Sequence, residues 1–229
     1  MSAAPHTISD REHMARALQL AERGLYTADP NPCVGCIIVN DGKVVGEGWH
    51  QLAGEAHAEV NALAAAGKAA QGATAYVTLE PCCHAGRTGA CTEALHTAGI
   101  SRVVFAVDDP NPQVSGKGAE WLRQHGIEVS GDLLADQATD LNAGFWSRMQ
   151  RKRPRVVSKL AASLDGRTAL ANGDSQWLTG EAARLDVQRL RARSSAVLTG
   201  VATVLADNPS LNVRAAEYAD CKQPLRVIL

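Results

Sequence analysis

Residues 79–91 have the sequence LEPCCHAGRTGAC, and the tripeptide His57-Ala58-Glu59 precedes them in the chain. One imidazole, from His57, and two thiolates, from among Cys82, Cys83 and Cys91, suit tetrahedral zinc, and three protein ligands leave a fourth position for water. Glu59 is not needed as a ligand in such a set. Residues two apart diverge on a regular helix, so His57 and Glu59 can share a site only where a helix begins. The pattern predicts one catalytic zinc ion per chain at a helix entrance.

Strand and helix patterns alternate on both sides of this motif. Ser9 and Glu12 have the spacing of a capping box, which predicts a first helix that ends near Gly24. The turn Asn40-Asp41-Gly42 predicts a hairpin. The elements that follow the first helix are predicted as strands 34–39, 43–48, 75–79, 102–107 and 127–130, and helices 57–70, 92–98, 118–125 and 133–150. This order indicates an α/β layered fold with largely parallel strands after the hairpin.

The length of 229 residues favours two domains. The run Arg151-Lys152-Arg153-Pro154 combines like charges with a proline and is the expected boundary. We therefore expect domains at 1–150 and 151–229. In the second, the patterns predict strands 155–160, 196–199 and 225–229 and a helix at 180–194.

Composition narrows the possible partners. The 23 Lys and Arg residues balance 24 Asp and Glu residues, so no overall positive field favours nucleic acid. No apolar run is long enough to cross a membrane, and the first residues lack the order of a signal peptide. A cytoplasmic enzyme with a small-molecule substrate is expected, without a nucleic-acid or membrane partner, and we expect a homo-oligomer. Six cysteines are too few and too uneven for a disulfide framework.

The motif resembles that of the cytidine-deaminase-like zinc deaminases, His-x-Glu followed by Pro-Cys-x-x-Cys. Here the second metal cysteine is Cys91, so the metal loop is longer than in that pattern. With this loop, with 30–35 (PNPCVG) and with 48–50 (GWH), the sequence resembles the deaminase half of the bifunctional riboflavin-biosynthesis deaminase/reductases. The resemblance covers nearly the whole chain. It implies a cytidine-deaminase-like three-layer α/β/α domain followed by a dihydrofolate-reductase-like α/β domain.

In that family the first domain hydrolytically deaminates 2,5-diamino-6-ribosylamino-4(3H)-pyrimidinone 5′-phosphate. The resemblance implies that His57, Cys82 and Cys91 bind zinc and that Glu59 moves protons. It also implies a group of residues that bind the substrate: Asn31, His50 and His84 at the ring and Arg87 at the phosphate.

Motifs after the boundary are similar to the family's reductase domain, which uses NADPH to reduce the ribosyl side chain to ribityl. The sequence has no G-x-G-x-x-G fingerprint, so only the resemblance implies this cofactor. The implied cofactor contacts are Ala161, Trp177, Thr203 and Asp207, and the implied substrate contacts are Ser175, Arg191, Leu211 and Arg214. The chain stops in an apolar run, 227–229, so we expect an incomplete reductase domain that neither binds NADPH tightly nor oxidises it.

Other interpretations remain. A nucleobase or tRNA deaminase with an accessory domain would favour a basic surface and the short metal loop, and a non-catalytic zinc module would use four protein ligands. Cys33 and Cys36 form a C-x-x-C pair, but it begins an apolar strand, so two core thiols are expected. Cys83 is the less favoured alternative to Cys82 as ligand. For three arginines of the helix 180–194, a solvated basic face is preferred to ligand contact: Arg184, Arg189 and Arg193.

Overall fold

Two compact units, Met1–Arg155 and Val156–Leu229, make up the chain in a computed structural model that describes residues 6–84 and 89–229. The first unit contains five strands, β1 (Gly35–Asn40), β2 (Lys43–Trp49), β3 (Thr74–Val77), β4 (Arg102–Phe105) and β5 (Glu128–Ser130). They form one sheet in the order β2-β1-β3-β4-β5. β1 is antiparallel to both β2 and β3, whereas β3, β4 and β5 run parallel. The parallel part places the carboxyl ends of successive strands at one edge of the sheet.

Helices cover both faces of this sheet. They are α1 (Ile8–Glu22), α2 (Ala58–Ala66), α3 (Cys91–Thr97), α4 (Lys117–Gln124), α5 (Ala135–Leu141) and α6 (Ala143–Arg151). Side chains of α2, α3 and α4 pack with Ile38 on one face, and side chains of α1 and α5 pack with Ile37 on the other. The two neighbours face opposite ways because side chains alternate along a strand. The unit is therefore a three-layer α/β/α structure.

The hairpin between β1 and β2 brings α2 close to the sheet. Asp41 and Gly42 both have positive φ, as a two-residue type I′ turn requires. In β2, a Cβ atom on Gly46 or Gly48 would collide with the backbone of Ala62 in α2. Glycine at these positions lets α2 lie directly on the strand, and this contact places the start of α2 beside the carboxyl end of β3.

Most predicted elements agree with the structure to within two residues at each end, and the predicted helix 57–70 continues beyond α2 as a 3-10 turn, Gly67–Ala70. Two predictions in the first unit are wrong. The predicted helix 133–150 is interrupted at Asn142, whose side chain bonds the backbone of Cys33. The capping box of α1 consists of Thr7 and Asp10 instead of Ser9 and Glu12.

Asp10 has a second role, because its buried carboxylate joins α1 to the sheet. It accepts hydrogen bonds from Tyr76 Oη at 2.7 Å and from Arg102 Nη1 at 2.8 Å, besides the bonds from Thr7. Burial opposes ionisation, but the bonds from Arg102, Thr7 and Tyr76 outweigh it and hold the pKa of Asp10 well below its usual range.

Replacing Asp10 by asparagine should therefore lower the free energy of unfolding by about 2–4 kcal/mol at neutral pH, because Arg102 loses its buried partner. A carboxyl whose pKa is depressed by folding stabilises the protein above its unfolded-state pKa, and this stabilisation is lost as pH falls. Urea unfolding should show a constant deficit for the variant above about pH 5 and a shrinking one below about pH 4. A deficit that did not change with pH would contradict the role of the ionised carboxylate.

The second unit contains α7 (Glu181–Ala192), β6 (Ala196–Thr199), α8 (Val201–Asp207) and β7 (Leu225–Ile228). β6 and β7 form a two-stranded parallel sheet. The predicted strand 155–160 is wrong, because these residues belong to neither sheet, and Val156 and Leu160 are exposed. Val156 and Val157 give this segment strand propensity, but propensity does not by itself supply a pairing partner. Within the described ranges, no helix has the length and apolarity needed to cross a bilayer.

Candidate metal centre

Three potential metal ligands converge at the edge of the sheet that follows β3. The ligand atoms of His57, Cys82 and Cys91 all lie within 4.8 Å of one another. His57 Nδ1 is 3.2 Å from Cys91 Sγ and 3.6 Å from Cys82 Sγ. One imidazole nitrogen and two sulfur atoms at such separations fit the donor set of a catalytic zinc site.

The starts of two helices position these ligands. His57 has extended backbone angles and is the N-cap residue of α2, and Glu59 lies in the first turn of that helix. The extended residue lets both side chains reach one site although they are two positions apart. Cys91 is the first residue of α3, and the backbone N–H of Thr92 donates to Cys82 O at 3.1 Å. The positive ends of both helices stabilise negative charge on the thiols.

The hydrogen bond between Cys82 and Cys91 shifts the pKa values of the two thiols in opposite directions. The hydrogen bond with Cys91 lowers the pKa of Cys82, and His57 acts in the same direction. The same bond, together with burial, raises the pKa of Cys91. A thiolate is the form that binds a metal ion, so the site contains one ligand that ionises readily.

Glu59 is a buried carboxyl beside this ligand set. Only 4% of its surface is exposed. Burial, followed by the negative charge of Cys82, raises the pKa of Glu59 to about 7. A carboxyl with such a pKa can both accept and release a proton near neutral pH.

Asn31 and His50 form a second polar pair near His57. Asn31 Nδ2 is 3.0 Å from His50 Nε2, and His50 Nδ1 is 3.1 Å from the carbonyl oxygen of Ala56. A carbonyl can only accept, so Nδ1 carries the proton and Nε2 accepts from the Asn31 amide. Burial also lowers the pKa of His50, which favours this neutral form. The His50 and His57 rings meet edge to face at 5.5 Å.

The other two residues predicted to bind the substrate of the first unit are not both described in the structure. His84 is exposed at the end of a described range, and Arg87 lies outside the described residues. Cys33 and Cys36 are buried in the unit, and the three-residue ligand group found among the described residues includes neither of them nor Cys83. Burial, and then the charge of Glu59, raises the pKa of Cys36 well above the usual thiol value.

Glu80 is a buried residue of this site that the metal-ligand motif does not include. Its carboxylate accepts backbone N–H bonds from Gly116 at 2.9 Å, Ala119 at 3.0 Å and Asp109 at 3.3 Å. These bonds join the segment that carries Cys82 to the start of α4. The position of Glu80 directly before the metal loop was the available sequence signal, but its three partners are distant in sequence.

In the second unit, the structure places Arg191 near Arg214. Burial, followed by the positive charge of Arg214, lowers the pKa of Arg191, whose Nη1 donates to Asn212 O at 3.1 Å. The backbone N–H of Arg214 donates to Gln188 Oε1 at 3.0 Å. Two neighbouring guanidinium groups favour an anionic ligand. Leu211 precedes Asn212 and is partly buried.

The predicted cofactor residues of the second unit are not joined to one another in the described part of the chain. Ser175, Trp177, Thr203 and Asp207 are exposed and Ala161 is partly buried. No hydrogen bond or ring contact between described residues links Ala161, Trp177, Thr203 and Asp207.

Arg184, Arg189 and Arg193 make only contacts within the protein among the described residues, and whether they meet a ligand stays a prediction. The Arg184 guanidinium lies 4.8 Å from the centre of the Trp177 ring, and Nη1 donates to Thr179 O. Arg189 pairs with Asp186 on its own helix, and Arg193 is exposed. Arg184 is thus partly buried by cation–π packing on an exposed tryptophan.

Two family models match the chain in series. The model described as the cytidine and deoxycytidylate deaminase zinc-binding region matches residues 7–107, and the RibD C-terminal domain model matches residues 154–229. The riboflavin biosynthesis protein RibD of Escherichia coli K12 is 55% identical over 97% of the chain. The chain is thus similar to RibD proteins over nearly its whole length. The RibD protein of Haemophilus influenzae is 54% identical over 94% of the chain.

The chain spans 63% and 61% of the lengths of these two RibD proteins. Solved RibD structures show the same fold. Acinetobacter baumannii RibD has a TM-score of 0.92 and 54% identity, with 96% of this chain and 63% of that chain covered. A Thermotoga maritima protein named as diaminohydroxyphosphoribosylaminopyrimidine deaminase/5-amino-6-(5-phosphoribosylamino)uracil reductase has a TM-score of 0.89 and 43% identity, with 96% and 62% covered. The predicted α/β fold class is confirmed, as a cytidine-deaminase-like domain followed by a segment that matches the RibD C-terminal domain model.

Proposed function

We propose that the first unit hydrolytically deaminates 2,5-diamino-6-ribosylamino-4(3H)-pyrimidinone 5′-phosphate, a step of riboflavin biosynthesis. The observation that carries this proposal is the convergence of His57, Cys82 and Cys91 next to the buried carboxyl of Glu59. A structural zinc site would fill four positions with protein ligands, whereas this group offers three. The deaminase and reductase named for the Thermotoga relative support the choice of substrate.

His57, Cys82 and Cys91 would hold one Zn²⁺ per chain. Bound there, zinc would supply Lewis-acid activation of water at neutral pH. The ligands themselves fit this role, because Cys82 ionises readily and both cysteines lie near helix starts. The buried surroundings strengthen the electrostatic interactions between these groups.

Glu59 would move the protons of the reaction. Its carboxylate would take one proton from the attacking water and deliver it to a ring nitrogen. It would then carry the second proton, from the oxygen added to the ring, to the amine, which leaves as ammonia. A pKa of about 7 suits both directions of transfer. Because the carboxyl is buried, bulk water does not compete for its proton.

Asn31 and His50 would orient the pyrimidine ring. The Asn31 amide nitrogen is held by His50 Nε2, so the amide oxygen lies on the other side and can accept from a ring amino or N–H group. We assign His84 to the same ring and Arg87 to the 5′-phosphate on the family resemblance. Arg87 lies outside the described residues.

For the second unit we propose a part in NADPH-dependent reduction of the ribosyl side chain. Arg191 and Arg214 are suited to a substrate phosphate, and Trp177 offers a flat wall for a nicotinamide. On the family resemblance, we also assign the cofactor to Ala161, Thr203 and Asp207 and the substrate to Ser175 and Leu211.

Incubation of the purified chain with the pyrimidine substrate tests the two proposals separately. Ammonia release reports the first unit, and NADPH oxidation reports the second. Ammonia release that depends on bound zinc is expected. A zinc-loaded chain that released no ammonia from this substrate would overturn the proposed deamination.

A further inference from the structure

The break between α5 and α6 places a buried asparagine against a distant loop. Asn142 is 6% exposed. Its Oδ1 accepts from the backbone N–H of Cys33 at 2.7 Å, and its Nδ2 donates to the carbonyl of Cys33 at 2.9 Å. The side-chain amide thus satisfies both backbone groups of one residue, as a neighbouring strand would.

An asparagine side chain fits this contact because it has one donor and one acceptor group side by side. Its amide nitrogen also lies 3.4 Å from the carbonyl of Ala138 in α5. An aspartate at this position could accept from Cys33 but could not donate to it, and an alanine could do neither. Either change would remove at least one hydrogen bond to the buried backbone of Cys33.

The loop held by Asn142 carries a residue of the proposed ring-binding pair. Asn31 lies two positions before Cys33, and its Nδ2 contacts His50. Just after Cys33, the carbonyl of Val34 accepts from the backbone N–H of His50 at 2.9 Å. A shift of Cys33 would therefore disturb the placement of Asn31 relative to His50.

Arg148 makes a second hydrogen bond to the loop that contains Asn31. Arg148, on α6, donates through Nη2 to the carbonyl of Pro30 at 3.2 Å. Hydrogen bonds from Arg148 to Pro30 and between Asn142 and Cys33 thus hold the backbone before and after Asn31.

We propose that Asn142 is a positioning residue for substrate recognition, which acts by fixing the backbone of the loop so that Asn31 meets the pyrimidine ring. The inference rests on the proposed deamination. It adds that the interruption of the helical segment 135–151 serves the active site. A displacement of about 1 Å in a group that orients a substrate is enough to lower reactivity strongly.

Asn40 provides a matched control. It also bonds backbone carbonyls through its side chain, those of Ala69 at 2.8 Å and Gln71 at 3.2 Å. It lies at the other end of β1, roughly 16 Å along the strand from Gly35. Its loss removes side-chain bonds to the backbone, at a more exposed position, without touching the loop of Asn31.

Steady-state ammonia release should separate the two variants. Asn142→Ala is expected to raise KM by about tenfold or more with a smaller change in kcat, which is the size of one lost hydrogen bond to a ligand. Its zinc content should equal that of wild type. Asn40→Ala should leave KM unchanged. An Asn142→Ala variant with full zinc and wild-type KM would overturn the proposal.

A double-mutant cycle tests whether Asn142 acts through Asn31. If it does, Asn31→Ala/Asn142→Ala should bind substrate no more weakly than Asn31→Ala alone. Additive increases in KM would show that Asn142 acts elsewhere and would contradict the inference.

If Asn142→Ala does not fold, Arg148→Ala removes the other hydrogen bond to the loop at an exposed position. An unchanged KM in that variant would then overturn the inference. Wild-type chain without ammonia release would instead refute the proposed function.

Discussion

Glu59→Gln should lower kcat for ammonia release by at least about 100-fold, while zinc content and thermal stability remain close to those of wild type. General acid–base catalysis contributes about 10² to 10⁴ to the rate of such reactions, and a glutamine amide has no basic oxygen to take a proton from the attacking water. The substitution preserves the shape of the side chain, and it also removes a buried acid that is costly to ionise. The loss should therefore appear in turnover and not in folding.

Glu120→Gln is the matched control, because Glu120 is an exposed residue of α4 whose side chain contacts only Gln124 among the hydrogen bonds of the described residues. It should keep wild-type turnover. Near-normal ammonia release by a zinc-loaded Glu59→Gln protein would show that another group moves the protons. Metal analysis of the same samples distinguishes this outcome from simple loss of zinc.

The convergence of His57, Cys82 and Cys91 could be predicted from sequence because the two segments that carry them are determined locally. His57 and Glu59 lie in one short segment at the start of α2, and the ligands of the second segment are separated by one loop. Helix entrances are marked by side-chain chemistry and by a change in periodicity, both visible in the sequence. The order of strands and helices could be predicted because periodicity is also a local property of the sequence.

The interruption at Asn142 could not be predicted because its cause lies 109 residues away. The segment 133–150 has continuous helical character, and only the contact with Cys33 shows why the helix stops at Asn142. The capping box formed by Thr7 also depends on residues that are distant in sequence. Asp10 has the correct spacing, but its selection over Glu12 depends on Arg102 and Tyr76 across the sheet. Long-range partners decide between local signals of similar strength.

The second prediction concerns which cysteines bind zinc. Two of the six converge with His57, and two others form a nearby C-x-x-C pair. Cys91→Ser should lower zinc affinity by at least about 100-fold, because loss of even an outer partner of a metal ligand costs 10–100-fold. A serine hydroxyl is a harder ligand and does not ionise near neutral pH. Zinc stoichiometry after dialysis against a weak chelator measures the effect.

Cys33→Ser supplies the control for this experiment, since Cys33 is as buried as a ligand yet stands outside the three-residue group. Zinc bound to the native state stabilises it by mass action, so a strong chelator should lower the Tm of wild type and of Cys33→Ser by similar amounts. Cys91→Ser should already have the lower Tm, and chelator should change it little. If Cys33→Ser instead lost zinc as completely as Cys91→Ser, the C-x-x-C pair would have to contribute to metal binding, and the ligand set of His57, Cys82 and Cys91 would be wrong.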